Sequence, residues 1–274
     1  MPAGKEQPIG IFDSGIGGLT VANAIINHLP NEQVIYFGDT AHMPYGDKSP
    51  EAIRHYSEKI SEFLLSKNCK LILIACNTAS AAAFDYIQST IGKIVPVENV
   101  IDPVVNEVVK DNDLGKVGVI GTKNTISSGV YEKKLKALKP SLEVVSLATG
   151  LLASMIEEGY YNNSVSQAII NSYLTYPDFQ DIDGIVLGCT HYPLIKKEIK
   201  YFYHERIKIF DSTLTVAKRI EEVLKEKNLL NDGVKEQHQF YVSDLTNAFQ
   251  QTTKIFFGEK INLEHYPLWE ALEK

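Results

Sequence analysis

The sequence predicts an α/β fold built as two similar halves, each with a mainly parallel central sheet and an active site in the cleft between them. Three observations point there. Short β-type apolar runs alternate with longer stretches whose apolar residues recur at helical spacing. Strand-end motifs repeat in the same order, 108 to 113 residues apart. The 274 residues hold ample chain for two ordinary domains, with no Ser/Gly/Pro-rich linker and no low-complexity tract between them.

Strands are expected at 8–12, 34–38, 71–75, 95–97, 116–120, 143–147, 184–187 and 208–210, each a short apolar run. Between them lie amphipathic segments; in one, Ile53, Tyr56, Ile60, Phe63 and Leu64 share a helical face. IGIFDSG at 9–15 is echoed by VGVIGTK at 117–123, LILIACNT at 71–78 by IVLGCTH at 185–191, and VIDP at 100–103 by IFDS at 209–212. The repeat divides the chain into a first half, residues 1–102 plus 213–274, and a second half, residues 103–212. A helix over 214–227 and the region 239–257 have no counterpart and are expected to pack back on the first half.

Composition narrows the function. Apolar residues make up 44%, which excludes a disordered chain, and the longest apolar runs, such as 71–75, are too short to span a bilayer. A net charge of −7 argues against a polyanion surface, so no nucleic-acid or membrane partner is expected, while a small anionic substrate needs only a few local donors. Three cysteines make no disulfide scaffold, and MPAGKEQPIGIFDSG has no apolar signal core. A cytoplasmic protein with reduced thiols is expected, acting on a small molecule; a homodimer is the expected assembly.

Cys76 and Cys189 carry the most chemistry. Each ends an apolar strand and is followed by a polar pair, Asn77-Thr78 or Thr190-His191, and then by an expected helix, 79–91 or 193–202. Ligands of open α/β sheets bind beyond the carboxyl ends of the strands, and a helix start lowers a thiol's pKa. Two such thiols at matching points would face each other across a cleft. A lone buried cysteine is ordinarily a small hydrophobe, and Cys69, at the polar start of its strand, reads that way. Cys76 with Cys189 and His191 could supply three zinc ligands, but without a CxxC pair no metal site is expected.

Asp13-Ser14-Gly15-Ile16-Gly17-Gly18 follows the first strand. It is not a dinucleotide fingerprint, because the third glycine would fall at Thr20, and an acidic strand end repels a pyrophosphate. Asp13 and Ser14 suit an amino group, or form only a cap and turn. Tyr45 and Gly46 lie in a Pro/Gly-fixed loop that could wall a small pocket. Thr122 and Thr125 follow the echo of the first strand, where hydroxyls and helix-start amides could hold a carboxylate. Glu157 and Glu158 end a helix before Gly159, by default on a solvated face.

These motifs together resemble the cofactor-independent aspartate/glutamate racemase superfamily. The resemblance spans nearly the whole chain and is carried by IGIFDSGIGGLTV, YFGDTAHMPYG, ACNTASA, GVIGT, MIEEG and LGCTHYPL. It implies two α/β domains with the site between them. It implies interconversion of L- and D-glutamate without pyridoxal phosphate or any other cofactor, supplying D-glutamate for peptidoglycan. Cys76 and Cys189 would be the acid/base pair, Cys76 taking the proton from D-glutamate and Cys189 from L-glutamate. Asp13, Ser14, Tyr45, Gly46, Asn77, Thr78, Thr122, Thr125, Thr190 and His191 would bind substrate; Asp13, Glu157 and His191 would assist the thiols. Aspartate, hydantoin or arylmalonate substrates, a non-catalytic binding protein and a thiol redox enzyme are the rival readings.

Overall fold

A computed structural model of the chain describes residues 4–270. The outermost residues assigned to the first half, 1–3 and 271–274, lie outside the described residues. The strands are β1 (Ile9–Asp13), β2 (Val34–Gly38), β3 (Leu71–Ile74), β4 (Val97–Asn99), β5 (Lys116–Gly121), β6 (Glu143–Ala148), β7 (Gly184–Gly188), β8 (Lys208–Phe210), β9 (Gln239–Val242) and β10 (Glu264–His265). They form a six-stranded sheet, β10-β9-β2-β1-β3-β4, and a four-stranded sheet, β6-β5-β7-β8. Every pairing is parallel. Parallel strands buried on both faces read as unbroken apolar runs, as IGIF and LILI do. The expected α/β class and parallel sheets are found.

The order β2-β1-β3-β4 recurs as β6-β5-β7-β8, so β1 corresponds to β5 and β3 to β7. Duplication is thus visible in topology as well as in sequence. Cys76 lies just past β3 and Cys189 just past β7, at matching positions of the two sheets.

The helices are α1 (Leu19–His28), α2 (Pro50–Ser66), α3 (Asn77–Thr90), α4 (Ile101–Lys110), α5 (Lys123–Ser127), α6 (Val130–Leu138), α7 (Gly150–Glu157), α8 (Ser164–Leu174), α9 (Lys196–Phe202), α10 (Ser212–Glu226) and α11 (Asn247–Phe257). Caps explain several starts. Ser49 accepts from the Ala52 amide with Pro50 at the first helical position, and Asp211 accepts from Thr213 N at the start of α10. α10 packs on α1, so the chain after β8 returns to the first half, while it also touches α4, which begins at the junction of the two halves.

The structure moves three expected elements. β4 begins at Val97 rather than 95, since Pro96 has no N–H to give the ladder, although its carbonyl accepts from Ile72. The helix expected over 193–202 divides into a 3₁₀ turn, Tyr192–Ile195, and α9; Pro193 sits in the turn. The region 239–257 packs on the first half as expected, but it supplies β9, which pairs with β2.

His238 ties the approach to β9 to the sheet: its Nδ1 accepts from Val34 N at 3.1 Å. Burial, with Lys235 beside it, pushes its pKa down to about 4. The unfolded chain, near 6.5, therefore binds the proton first as pH falls. Stability contributed by neutral His238 is full above about pH 6.5 and is lost as pH drops toward 4. Replacing it with Gln should flatten that part of a melting-temperature profile against pH; an unchanged slope would count against it.

Candidate active site

A cavity of about 480 Å³ opens where the carboxyl ends of strands from both sheets meet. Ser14 reaches it from the end of β1, Tyr45 and Gly46 from the loop after β2, and Cys76, Asn77 and Thr78 from the end of β3. The second sheet supplies Thr122 after β5, Cys189, Thr190 and His191 after β7, and Glu157 from the end of α7. Both thiols line this one space.

Their surroundings differ. Cys76 is the N-cap of α3: its sulfur accepts from the Ala79 amide at 3.4 Å, and its thiol donates to Ser14 Oγ at 3.6 Å. A helix start was expected to lower this thiol's pKa, but burial, reinforced by the Asp13 carboxylate, pushes it up to about 12. Removing the sulfur from water outweighs one amide and one hydroxyl. Cys189 instead lies 3.5 Å from His191 Nδ1, and His191 Nε2 lies 2.8 Å from Glu157 Oε1. Burial disfavours a charged His191 ring, yet Cys189 and Glu157 outweigh it and hold the ring's pKa well above the usual imidazole range. Cys76 therefore has a buried carboxylate near it, and Cys189 an imidazole–carboxylate pair. Glu157 is no solvated bystander but the outer member of a chain ending at sulfur.

Asp13 and Thr125 do not line the cavity. Asp13 is fully buried behind it, accepting from the Gly18 amide at 2.9 Å and the Gly15 amide at 3.4 Å, while its Oδ1 has no partner. Burial raises its pKa, with His191 and these amides pulling the other way. Thr125 closes a triangle of hydroxyls: Thr78 to Thr122 at 2.8 Å, Thr122 to Thr125 at 3.0 Å and Thr78 to Thr125 at 3.2 Å. The triangle joins the start of α3 to the start of α5, where Thr122 is the N-cap. Tyr45 offers the cavity its ring, since its hydroxyl is spent on buried Asp39 at 2.6 Å.

Asn124 donates to the carbonyls of Tyr45 at 3.0 Å and Lys48 at 2.7 Å, fastening the first half's loop to the second half's α5. Asn77 keeps an unpartnered Nδ2 although only 2% exposed. Sequence reasoning missed Met43, Lys123, Ser154 and Tyr173, which also line the wall. Met43 and Lys123 carried a signal, as members of YFGDTAHMPYG and VGVIGTK beside residues already singled out. Cys69 is buried elsewhere, its sulfur packed on Gly10. Among the described residues no group of three or more His, Cys, Asp or Glu side chains could hold a metal ion, and no helix is long and apolar enough to cross a membrane.

A duplicated parallel α/β framework thus places matched strand-end thiols on one cavity, and the family match makes the chain an isomerase of the racemase type. The chain belongs to the Asp/Glu/hydantoin racemase family, which matches residues 18–220. Its relatives carry a narrower name. A glutamate racemase from Geobacter metallireducens is 42% identical over 256 residues, covering 93% of this chain and 94% of the relative. One from Streptococcus equi subsp. equi is 38% identical over 265 residues, covering 96% and 99%. The solved structure of Francisella tularensis glutamate racemase in complex with D-glutamate superimposes with a TM-score of 0.91 at 39% identity, covering 97% and 99%. The expected family and fold are therefore borne out.

Proposed function

We propose that this racemase interconverts L- and D-glutamate with its two thiols and without pyridoxal phosphate. The observation that carries the reading is the pair Cys76 and Cys189, at corresponding strand ends on one cavity. One thiolate takes the α-proton; the opposite thiol gives its proton to the other face of the carbanion and is left as thiolate. Cys76 acts on D-glutamate and Cys189 on L-glutamate. Burial keeps Cys76 neutral, so the positive charge that favours its thiolate arrives with the substrate's ammonium group. Asp13 supports Cys76 from behind the wall, and Glu157 supports Cys189 through His191. Ser14, Asn77, Thr78, Thr122 and Thr190 offer donors to the two carboxylates, with Tyr45, Gly46 and His191 shaping the space and Thr125 bracing the hydroxyl triangle.

The names of the relatives favour glutamate. Residues 1–102 with 213–274 form one domain and 103–212 the other. The enzyme works in the cytoplasm as a homodimer, with no nucleic-acid or membrane partner, and its D-glutamate feeds peptidoglycan.

Circular dichroism of purified protein with L- or D-glutamate and no added cofactor tests the reading. Equal turnover of alanine or aspartate would overturn the glutamate assignment, because a mismatched side chain leaves buried donors unpaired at about 1–3 kcal/mol each. In deuterium oxide, early D-glutamate made from L-glutamate should carry deuterium at Cα while residual L-glutamate stays protiated. Early product dominated by protium would mean one swinging base instead of two.

A further inference from the structure

Tyr131, in the first turn of α6, is 3% exposed and touches the neighbours of both thiols. Its ring lies on Gly188, the residue before Cys189: a Cβ there would come within 3.3 Å of Tyr131 Cε2. Its hydroxyl donates to Asn77 Oδ1 at 2.7 Å, and Asn77 follows Cys76. The bond crosses from the second half to the first.

Asn77 lines the cavity, is almost wholly buried, and has an Nδ2 without a protein partner. An unpaired buried amide costs free energy unless a ligand oxygen meets it. The amide could turn over and present Oδ1 to the cavity, which would repel a carboxylate. Tyr131 prevents this by occupying Oδ1. Burial raises the phenol's pKa, so it stays protonated and remains the donor.

We propose that Tyr131 is a positioning residue for this racemase: it spans the cleft to hold Asn77 with both amide protons free for a substrate oxygen. Its effect falls on binding of substrate and not on proton transfer at sulfur. The choice of glutamate as probe rests on the function proposed above.

The test is Tyr131→Phe, which keeps the ring on Gly188 and removes only the donor. KM for both enantiomers should rise about tenfold, the cost of a misdirected hydrogen bond, with kcat within about twofold. Calorimetry should show D-glutamate binding weakened by the same factor. In an Asn77→Ala background the same change should have no further effect on binding, since Tyr131 acts only through that amide. An additive effect in the double variant overturns the proposal. So does a fall in kcat at constant KM, or a lowered melting temperature with binding unchanged, which would make Tyr131 purely structural. Wild-type protein that neither binds nor racemises glutamate would instead overturn the glutamate reading, and that measurement precedes the variants.

Discussion

Cys76→Ser and Cys189→Ser should each lower racemisation by about a thousandfold in both directions, the scale of losing a positioned acid/base group. Both directions should suffer, because in the proposed mechanism each thiol is the base for one enantiomer and the acid for the other. Serine keeps the size and the hydrogen bonds: the Ala79 amide can still be accepted at position 76, and the fold should melt as wild type does. The hydroxyl's failing is its pKa, several units above a thiol's, so it yields almost no base at neutral pH. The two variants should differ in what survives. With Ser at 76, Cys189 can still remove the α-proton of L-glutamate, so slow exchange of that proton with solvent persists without inversion. Circular dichroism reports inversion and proton NMR in deuterium oxide reports exchange. A variant retaining a tenth of wild-type inversion would remove that thiol from the reaction.

Gly17→Ala should cost about a hundredfold in activity while leaving the protein folded, the scale expected when catalytic groups are displaced by about an ångström. A Cβ at position 17 would stand 2.4 Å from His191 Cε1, 2.5 Å from His191 Nδ1 and 2.6 Å from Thr190 Oγ1. No Cβ tolerates such contacts, so the imidazole must move. It has little freedom: Glu157 holds Nε2, and Phe256 meets the ring edge-on at 5.1 Å between centroids. Moving it separates Nδ1 from the Cys189 sulfur. Gly17 belongs to the first half and His191 to the second, so the glycine is needed for close approach across the cleft, not for its own backbone angles. The loss in kcat/KM should be equal for the two enantiomers, since their equilibrium is one to one, and any difference between them should appear in kcat with a matching change in KM. A variant with half of wild-type activity would mean the ring is not where it is needed.

Much of this was legible in the chain itself because parallel strands buried on both faces leave unbroken apolar runs, and the residue that ends such a run is placed at a sheet edge by geometry. IGIFD, LILIACNT and VLGCTH therefore disclosed each strand together with the side chain placed at its end. β9 escaped because QFYV is four residues long and follows a polar stretch; it becomes a strand only by pairing with β2. β4 was misplaced because Val95 looks like a strand start while Pro96 cannot serve as one, and the true strand carries polar Glu98 and Asn99. Residues next to a strand end, which line the cavity, were legible along the chain; contacts between distant segments were not. Whether Asp13 faces the cavity or stands behind it depends on the amides of Gly15 and Gly18 folding over the carboxylate. Glu157 looked solvated because its partner His191 is distant in sequence. The Cys76 pKa was misjudged for the same reason: the helix start is local, but burial and the nearby Asp13 are products of the assembled fold.

The two thiols have unequal companions, a buried carboxylate near one and an imidazole–carboxylate pair at the other, and thermodynamics limits what that inequality can do. Mirror-image amino acids have the same free energy in water, so the equilibrium between them is one to one whatever the catalyst. The ratio kcat/KM must then be the same in both directions. Asymmetry can raise kcat for one enantiomer only by raising its KM in proportion. Asp13, His191 and Glu157 thus cannot make such an enzyme a producer of one hand. They can set which enantiomer saturates it first, and hence how its rate responds as one product is drawn away. Net direction belongs to whatever consumes the product.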